Sequence, residues 1–207
     1  MKKLLCVLLC AVVILFPLCS CGDKDPDGVS PSDASSGSDW LEVKFAQAEE
    51  LYSWFTGCGR PSCDTADRKE HSEAGYARVT ESGLGSMDDL RGRVGSYFTP
   101  EVTDELMQTE VYGGVPMFRE FDGRLYYCTE ALGLVPSDIG ERTGMVTNRT
   151  DIELVYHMDI TYKYFESDFS ASYDYRLELG EDSKWYFADF KLPAMLIAEQ
   201  MFLSDEG

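Results

Sequence analysis

A chain of 207 residues, 44% of them hydrophobic and 13% aromatic, has enough apolar material to bury a core of ordinary size. Its 37 acids outnumber its 18 bases, giving a formal charge of −19. A surface of that sign repels phosphate backbones and anionic headgroups, so nucleic acid is excluded as a partner and cationic partners or basic clefts are favoured. The competing explanation is an acidity that only keeps the protein soluble.

The chain opens Met1-Lys2-Lys3 and then runs apolar from Leu4 to Leu18. A short basic start followed by an apolar run is the pattern of an export signal. The run is shorter than the ~20 residues a spanning helix needs, and Pro17 breaks its end. The next segment, Leu18-Cys19-Ser20-Cys21-Gly22, resembles a lipobox: an aliphatic residue, two small residues, then a cysteine. It predicts a lipoprotein signal peptide over 1–20, cleavage after Ser20 and a diacylglycerol on Cys21. Two or three acyl chains hold a protein on a bilayer more durably than one. The expected location is therefore the extracytoplasmic face of the cell membrane, lipid-anchored. Ordinary cleavage to an unanchored secreted protein and a spanning anchor are the alternatives. Loss of Lys2 and Lys3, with no acid, takes the formal charge from −19 to −21.

Residues 21–39 are rich in Asp, Ser, Gly and Pro, with Val29 the only large apolar residue. They cannot bury enough surface to offset the entropy of ordering, and read as a flexible tether. A single domain is expected over 40–207. Three cysteines leave with the signal and Cys21 is lipidated, leaving Cys58, Cys63 and Cys128. Cys58 and Cys63 flank Gly59-Arg60-Pro61-Ser62, and outside the cytosol a local disulfide competes with two reduced thiols. Two cysteines without a second pair make a weak zinc signal, so no metal is expected, and nothing points to a cofactor. Cys128, in an apolar run, reads as a small buried hydrophobe.

In the domain, Leu41, Phe45, Ala48, Leu51, Tyr52 and Phe55 recur at helical spacing over 40–56, with Asp39 as a cap and Gly57 as a stop. The polar stretch 58–75 reads as a loop, followed by a short strand over 76–80. Ser86-Met87-Asp88-Asp89 resembles a capping box with Asp in place of Glu, opening a short helix with Leu90 and Val94 on one face. Thr99-Pro100-Glu101 starts another, to about Gln108. The period then changes to two. Met117–Phe121 and Arg124–Cys128 read as a hairpin turning on Asp122-Gly123. Residues 132–143 read as a loop. Ile152, Leu154, Tyr156, Met158, Ile160, Tyr162 and Tyr164 then alternate along a long strand, and Ala171, Tyr173, Tyr175, Leu177 and Leu179 repeat the pattern. A return strand over 184–192 and a terminal helix over 194–203 follow. Helices before antiparallel strands imply an α+β class, with N-terminal helices packed on a curved antiparallel sheet.

Catalytic patterns are sparse. His71 sits in a polar stretch beside Glu70 and Glu73. His157 and Asp159, two apart on one strand face, are the only candidate base and orienting group, and an exposed or half-buried pair on a sheet face is the favoured explanation of them. No Gly-x-Ser-x-Gly elbow and no phosphate-binding glycine loop occurs. Tyr162, Tyr164, Tyr173 and Tyr175 form either an aromatic patch or a buried sheet face. The expectation is that the chain is not an enzyme.

Four blocks, in this order, carry a resemblance: Ala46-Gln47-Ala48-Glu49-Glu50-Leu51-Tyr52; Tyr97-Phe98-Thr99-Pro100-Glu101; Phe121-Asp122-Gly123-Arg124-Leu125-Tyr126 with Gly133 following; and Gly180 with Lys184-Trp185-Tyr186-Phe187. Over residues 44–192 the chain resembles the IseA-type family of DL-endopeptidase inhibitors. More loosely it is similar to cone folds of the nuclear-transport-factor-two and cystatin type, which serve many unrelated functions. The closer resemblance implies an inhibitor that occludes the catalytic cleft of a cell-wall endopeptidase, its protein partner. The candidate contact is the segment 133–141, with Asp138 and Glu141 imitating the D-glutamyl carboxylates of the wall peptide. An ordinary strand connection is the alternative for that segment. For the whole chain the alternative is a small-ligand-binding or accessory cone-fold surface lipoprotein, with a pocket around His157 and Asp159. A structural or sensory lipoprotein with another membrane protein as partner is a third reading.

Overall fold

The structure, a computed structural model, describes residues 39–111, 113–131, 133, 139–164 and 167–204. The signal segment, Cys21 and Asp138 lie outside the described residues. In chain order the elements are α1 (Asp39–Thr56), β1 (Cys63–His71), β2 (Ala74–Val79), α2 (Met87–Gly95), α3 (Pro100–Met107), β3 (Glu110–Val111), β4 (Val115–Pro116), β5 (Phe118–Phe121), β6 (Arg124–Cys128), β7 (Ile139–Arg149), β8 (Glu153–Tyr164), β9 (Ser167–Leu179), β10 (Trp185–Phe187) and α4 (Pro193–Ser204). The class is α+β, as read from the sequence.

Helix α1 forms because its apolar residues recur every three or four positions. Leu41, Phe45, Ala48, Leu51, Trp54 and Phe55 are buried along one stripe, and Gly57 ends the helix at φ 71°. The capping box at α2 is complete. The Ser86 hydroxyl accepts the Asp89 amide, and the Asp89 carboxylate accepts the Ser86 amide at 3.0 Å. The α2–α3 corner is tied to β10 by two backbone bonds: Thr99 N–H donates to Phe187 O at 3.0 Å, and Phe187 N–H to Tyr97 O at 2.9 Å.

The strands, expected in one sheet, divide into two four-stranded antiparallel sheets, ordered β1-β2-β6-β5 and β10-β9-β8-β7, with β3 and β4 as a separate pair. The β5–β6 hairpin turns on Asp122 (φ 51°) and Gly123 (φ 69°), the two left-handed residues that a tight hairpin turn requires. Two stretches read as loops are strand. The polar segment 63–71 is β1, whose pattern hides because the register slips between Asp64 and Arg68 and neither face is fully buried. Arg78 on β2 pairs with both acids of that bulge, Asp64 at 3.2 Å and Asp67 at 3.1 Å. The end of the stretch 132–143 is the start of β7.

The core lies around α1. Phe45 meets Tyr175 edge-on at 4.8 Å, Phe190 at 5.3 Å and Tyr156 at 5.9 Å, so the first half of α1 fills the inner face of the second sheet. Phe55 meets Phe118 of the first sheet at 5.1 Å. The strand tyrosines Tyr156, Tyr162 and Tyr175 are core residues. The Tyr175 hydroxyl donates to Lys191 O at 2.9 Å, which satisfies its buried polar end. Burial pushes that phenol far above its ordinary value. Among the described residues no helix is long and apolar enough to cross a membrane.

Candidate functional site

Because α1 and its aromatic partners fill the inner face of the second sheet, the surfaces open to a partner lie elsewhere. Strand β7 is the most exposed of them. It closes one end of the order β10-β9-β8-β7, and its far edge carries no strand among the described residues. Antiparallel pairing with β8 sets its faces: Arg142 is opposite Ile160 and Gly144 opposite Met158, facing α1, while Thr143 is opposite Asp159 and Met145 opposite His157, facing outwards.

On the inner side of β7, Gly144 stands between Arg142 and Val146, which is opposite Tyr156. A Cβ at Gly144 would run into the Tyr156 phenol, so the strand closes over that ring only because it carries no side chain there. The Arg142 guanidinium donates to Glu49 of α1 at 2.6 Å and pins the strand to the helix. What remains is an open edge with Met145 50% and Val146 41% exposed. The ladder slips twice, between Ile139 and Arg142 and between Val146 and Asn148. Bulges of this kind protect an edge from indiscriminate pairing. An edge of this sort can accept an extended segment of another chain by adding a strand.

Glu141 stands exposed on β7, and its carbonyl accepts the Thr161 hydroxyl at 3.3 Å. Asp138, its proposed companion, lies outside the described residues. Gly133 lies against the end of α1: its N–H donates to Gly57 O at 2.9 Å, and a Cβ there would come within 2.5 Å of the Cys58 nitrogen.

His157 and Asp159 do share a face, as their spacing predicts, but it is the outer face of the second sheet, opposite the buried Tyr156 and Met158. A third group joins them from β9. His157 Nδ1 lies 2.6 Å from Asp174, and Nε2 lies 3.2 Å from Asp159. The Asp174 hydrogen bond is the chief reason the imidazole holds its proton more tightly than usual, opposed by desolvation and reinforced by Asp159. Sequence reasoning missed Asp174, because only the β8–β9 register sets it opposite His157.

Cys58, after the end of α1, and Cys63, at the start of β1, are both half-buried. Both line one cleft of about 610 Å³, with Arg60, Thr80 and Tyr127 among its walls. Cys128 is a buried thiol, in line with its reading as a small hydrophobe. A second cleft of about 640 Å³ lies between the α2–α3 corner and the β9–β10 turn, walled by Glu101, Glu178 and Asp182. No metal-binding cluster of three or more His, Cys, Asp or Glu occurs among the described residues.

Compared with protein-family models and with curated proteins, the sequence matches none.

Proposed function

We propose that this chain is an extracytoplasmic, lipid-anchored binding protein that inhibits a peptidoglycan DL-endopeptidase by covering its active-site cleft. The observation that carries the reading is β7: an open sheet edge, fixed to α1 through Arg142 and Glu49, that presents Met145 and Val146 to solvent. A docking surface needs a rigid support and exposed apolar anchors within a polar rim, and β7 supplies both. The occupant is an extended segment at the rim of the hydrolase cleft, paired along β7 with Glu141 beside it. The acidic surface speeds approach to any basic cleft, and a lipid on Cys21 keeps the inhibitor where wall hydrolysis occurs.

The reading is supported by the block order that resembles IseA-type inhibitors and by a filled inner sheet face that directs binding to the outside. A pocket of His157 and Asp159 is the weaker alternative, since those side chains project from a face turned to solvent.

The test is hydrolysis of wall peptide by a purified NlpC-type endopeptidase with increasing amounts of the protein. Inhibition in a one-to-one complex is expected, weakened tenfold or more by Met145→Lys with Val146→Lys. If the hydrolase runs at full rate and no complex forms at micromolar concentrations, the proposal fails.

A further inference from the structure

The segment Cys58-Gly59-Arg60-Pro61-Ser62-Cys63 joins the end of α1 to the start of β1, and the docking reading leaves it without a task. Its two flanks are held in place. Gly59 N–H donates to Ser53 O at 3.0 Å, and Thr80 N–H donates to Ser62 O at 2.8 Å. The Tyr127 hydroxyl, from β6, donates to Gly59 O at 3.2 Å. A Cβ on Gly59 would collide with the Ser53 side chain, so the turn can lie this close to α1 only with glycine there. The result is a short turn whose two cysteines open on the same cleft, with the Arg60 guanidinium on its wall. Both thiols lie close enough to the Tyr127 phenol to contribute to its upward shift, to about 12, which is caused mainly by burial.

We propose that this cleft is a thiol–disulfide exchange site, in which Cys58 and Cys63 reduce a small disulfide and close into an intramolecular disulfide that bolts α1 to β1. The Cys58 thiolate attacks one sulfur of the oxidant R–S–S–R, forming Cys58–S–S–R and releasing RS⁻. The Cys63 thiolate then attacks the Cys58 sulfur, forming the Cys58–Cys63 bond and releasing the second RS⁻. The two protons lost by the cysteines end on the two released thiols, and the oxidant is reduced by two electrons. Burial pushes the Cys63 thiol up, with Arg60 partly offsetting this and Glu81 adding to it, so Cys63 is assigned the second, intramolecular step, where its target is already held close by. Arg60, the one charged residue among the described residues lining the cleft, favours an oxidant with a carboxylate placed away from Glu81, which accepts the Ser62 amide at 3.3 Å, and the partial exposure of both cysteines lets it in. Cys128, wholly buried in β6, is a spectator. Closure fixes a six-residue turn at the base of α1 and removes states from the unfolded chain, so the oxidised protein unfolds at higher temperature.

The experiment exposes the full chain to oxidised glutathione and maps iodoacetamide labelling site by site. Cys58 and Cys63 are expected to lose labelling together and at least tenfold faster than Cys128, with the thermal midpoint rising by several degrees. In Cys63→Ser, Cys58 is expected to trap as a stable mixed disulfide with glutathione, since no thiol remains to resolve it. Persistence of both labels, a disulfide joining two chains, or consumption of Cys128 at the same rate would each overturn the proposal. These readouts do not depend on inhibition of any hydrolase, so they stand apart from the docking proposal.

Discussion

At the scale of single residues, the environment of His157 makes a prediction with a definite sign. A neutral imidazole has one donor and one acceptor, yet both ring nitrogens of His157 face carboxylates, Asp174 at 2.6 Å and Asp159 at 3.2 Å. One nitrogen would then set a lone pair against an oxygen. Protonation turns both into donors, which is why the folded state holds the proton above the ordinary value of 6.5. The stabilisation is present in full below that value and is lost as pH rises through the folded pKa. The chief partner is Asp174, so Asp174→Asn should bring the histidine's titration, followed by NMR, back towards 6.5, and Asp159→Asn should move it less. Replacing His157 with Gln should lower the unfolding midpoint at pH 5.5 and leave it nearly unchanged at pH 8.5. Equal losses at both values would show that the ring acts by packing alone. The sequence showed that His157 and Asp159 share a face, since residues two apart on a strand must. It did not show Asp174, because that pairing depends on register between strands. Nor did it show Lys44, which the helical stripe of α1 carries into the core. There its ammonium lies 5.3 Å from the Tyr97 ring and 5.7 Å from the Tyr186 ring, and bonds to Ser96 O at 3.4 Å.

At the scale of elements, what was legible in the sequence was what carries its own local signal. Helix α1 has its apolar stripe, α2 its capping box, β5–β6 its Asp-Gly turn, and β8 and β9 their alternation with one face buried. Of the strands that escaped, β3 and β4 are only two residues long, and β1 and β7 are edges that lack the turn signal or bulky apolar residues by which the other two edges of the four-stranded sheets, β5 and β10, were read. An edge strand pairs on one side and need not bury a face, so no alternation is imposed on it. Both β1 and β7 also carry register slips that break any period of two. The candidate contact segment 133–141 straddles this limit, since Glu141 belongs to a strand that the pattern concealed. Where the chain passes the end of α1 before reaching β7, packing is close enough to predict a cost. A methyl group at Gly133 would lie 2.5 Å from the Cys58 nitrogen and 2.6 Å from the Gly57 carbonyl carbon, both backbone atoms that cannot rotate away. Gly133→Ala should therefore destabilise the fold by about 1–3 kcal/mol, the usual range for forced overpacking. Denaturant unfolding measures this directly, and an unchanged midpoint would mean that the end of α1 shifts freely.

At the scale of the whole molecule, the division of the strands into two sheets was not legible, because it is made by distant pairings. Strand β2 takes β6 as its neighbour across some fifty residues, and no local pattern announces such a partner. The α2 region bonds to both sheets at the surface, through Met87 to Glu120 and through Thr99 to Phe187, and α1 joins them through the core. Phe45, near its start, packs on Tyr156 and Tyr175 of the second sheet, and Phe55, near its end, packs on Phe118 of the first. A single helix that completes both cores couples them, because neither sheet can release it without opening the other. Phe45→Ala should cost about 3–5 kcal/mol, as large-to-small changes in aromatic cores do. Its effect should reach beyond the second sheet. Native-state hydrogen exchange at Ala77 and Tyr127, in the first sheet, should quicken by the same free energy as exchange at Tyr156 and Tyr175. The same test applied to Phe55→Ala should show the transfer in reverse. If each substitution instead loosens only the sheet it touches, the two sheets are separate cooperative units, and α1 is a shared surface rather than the element that makes them one.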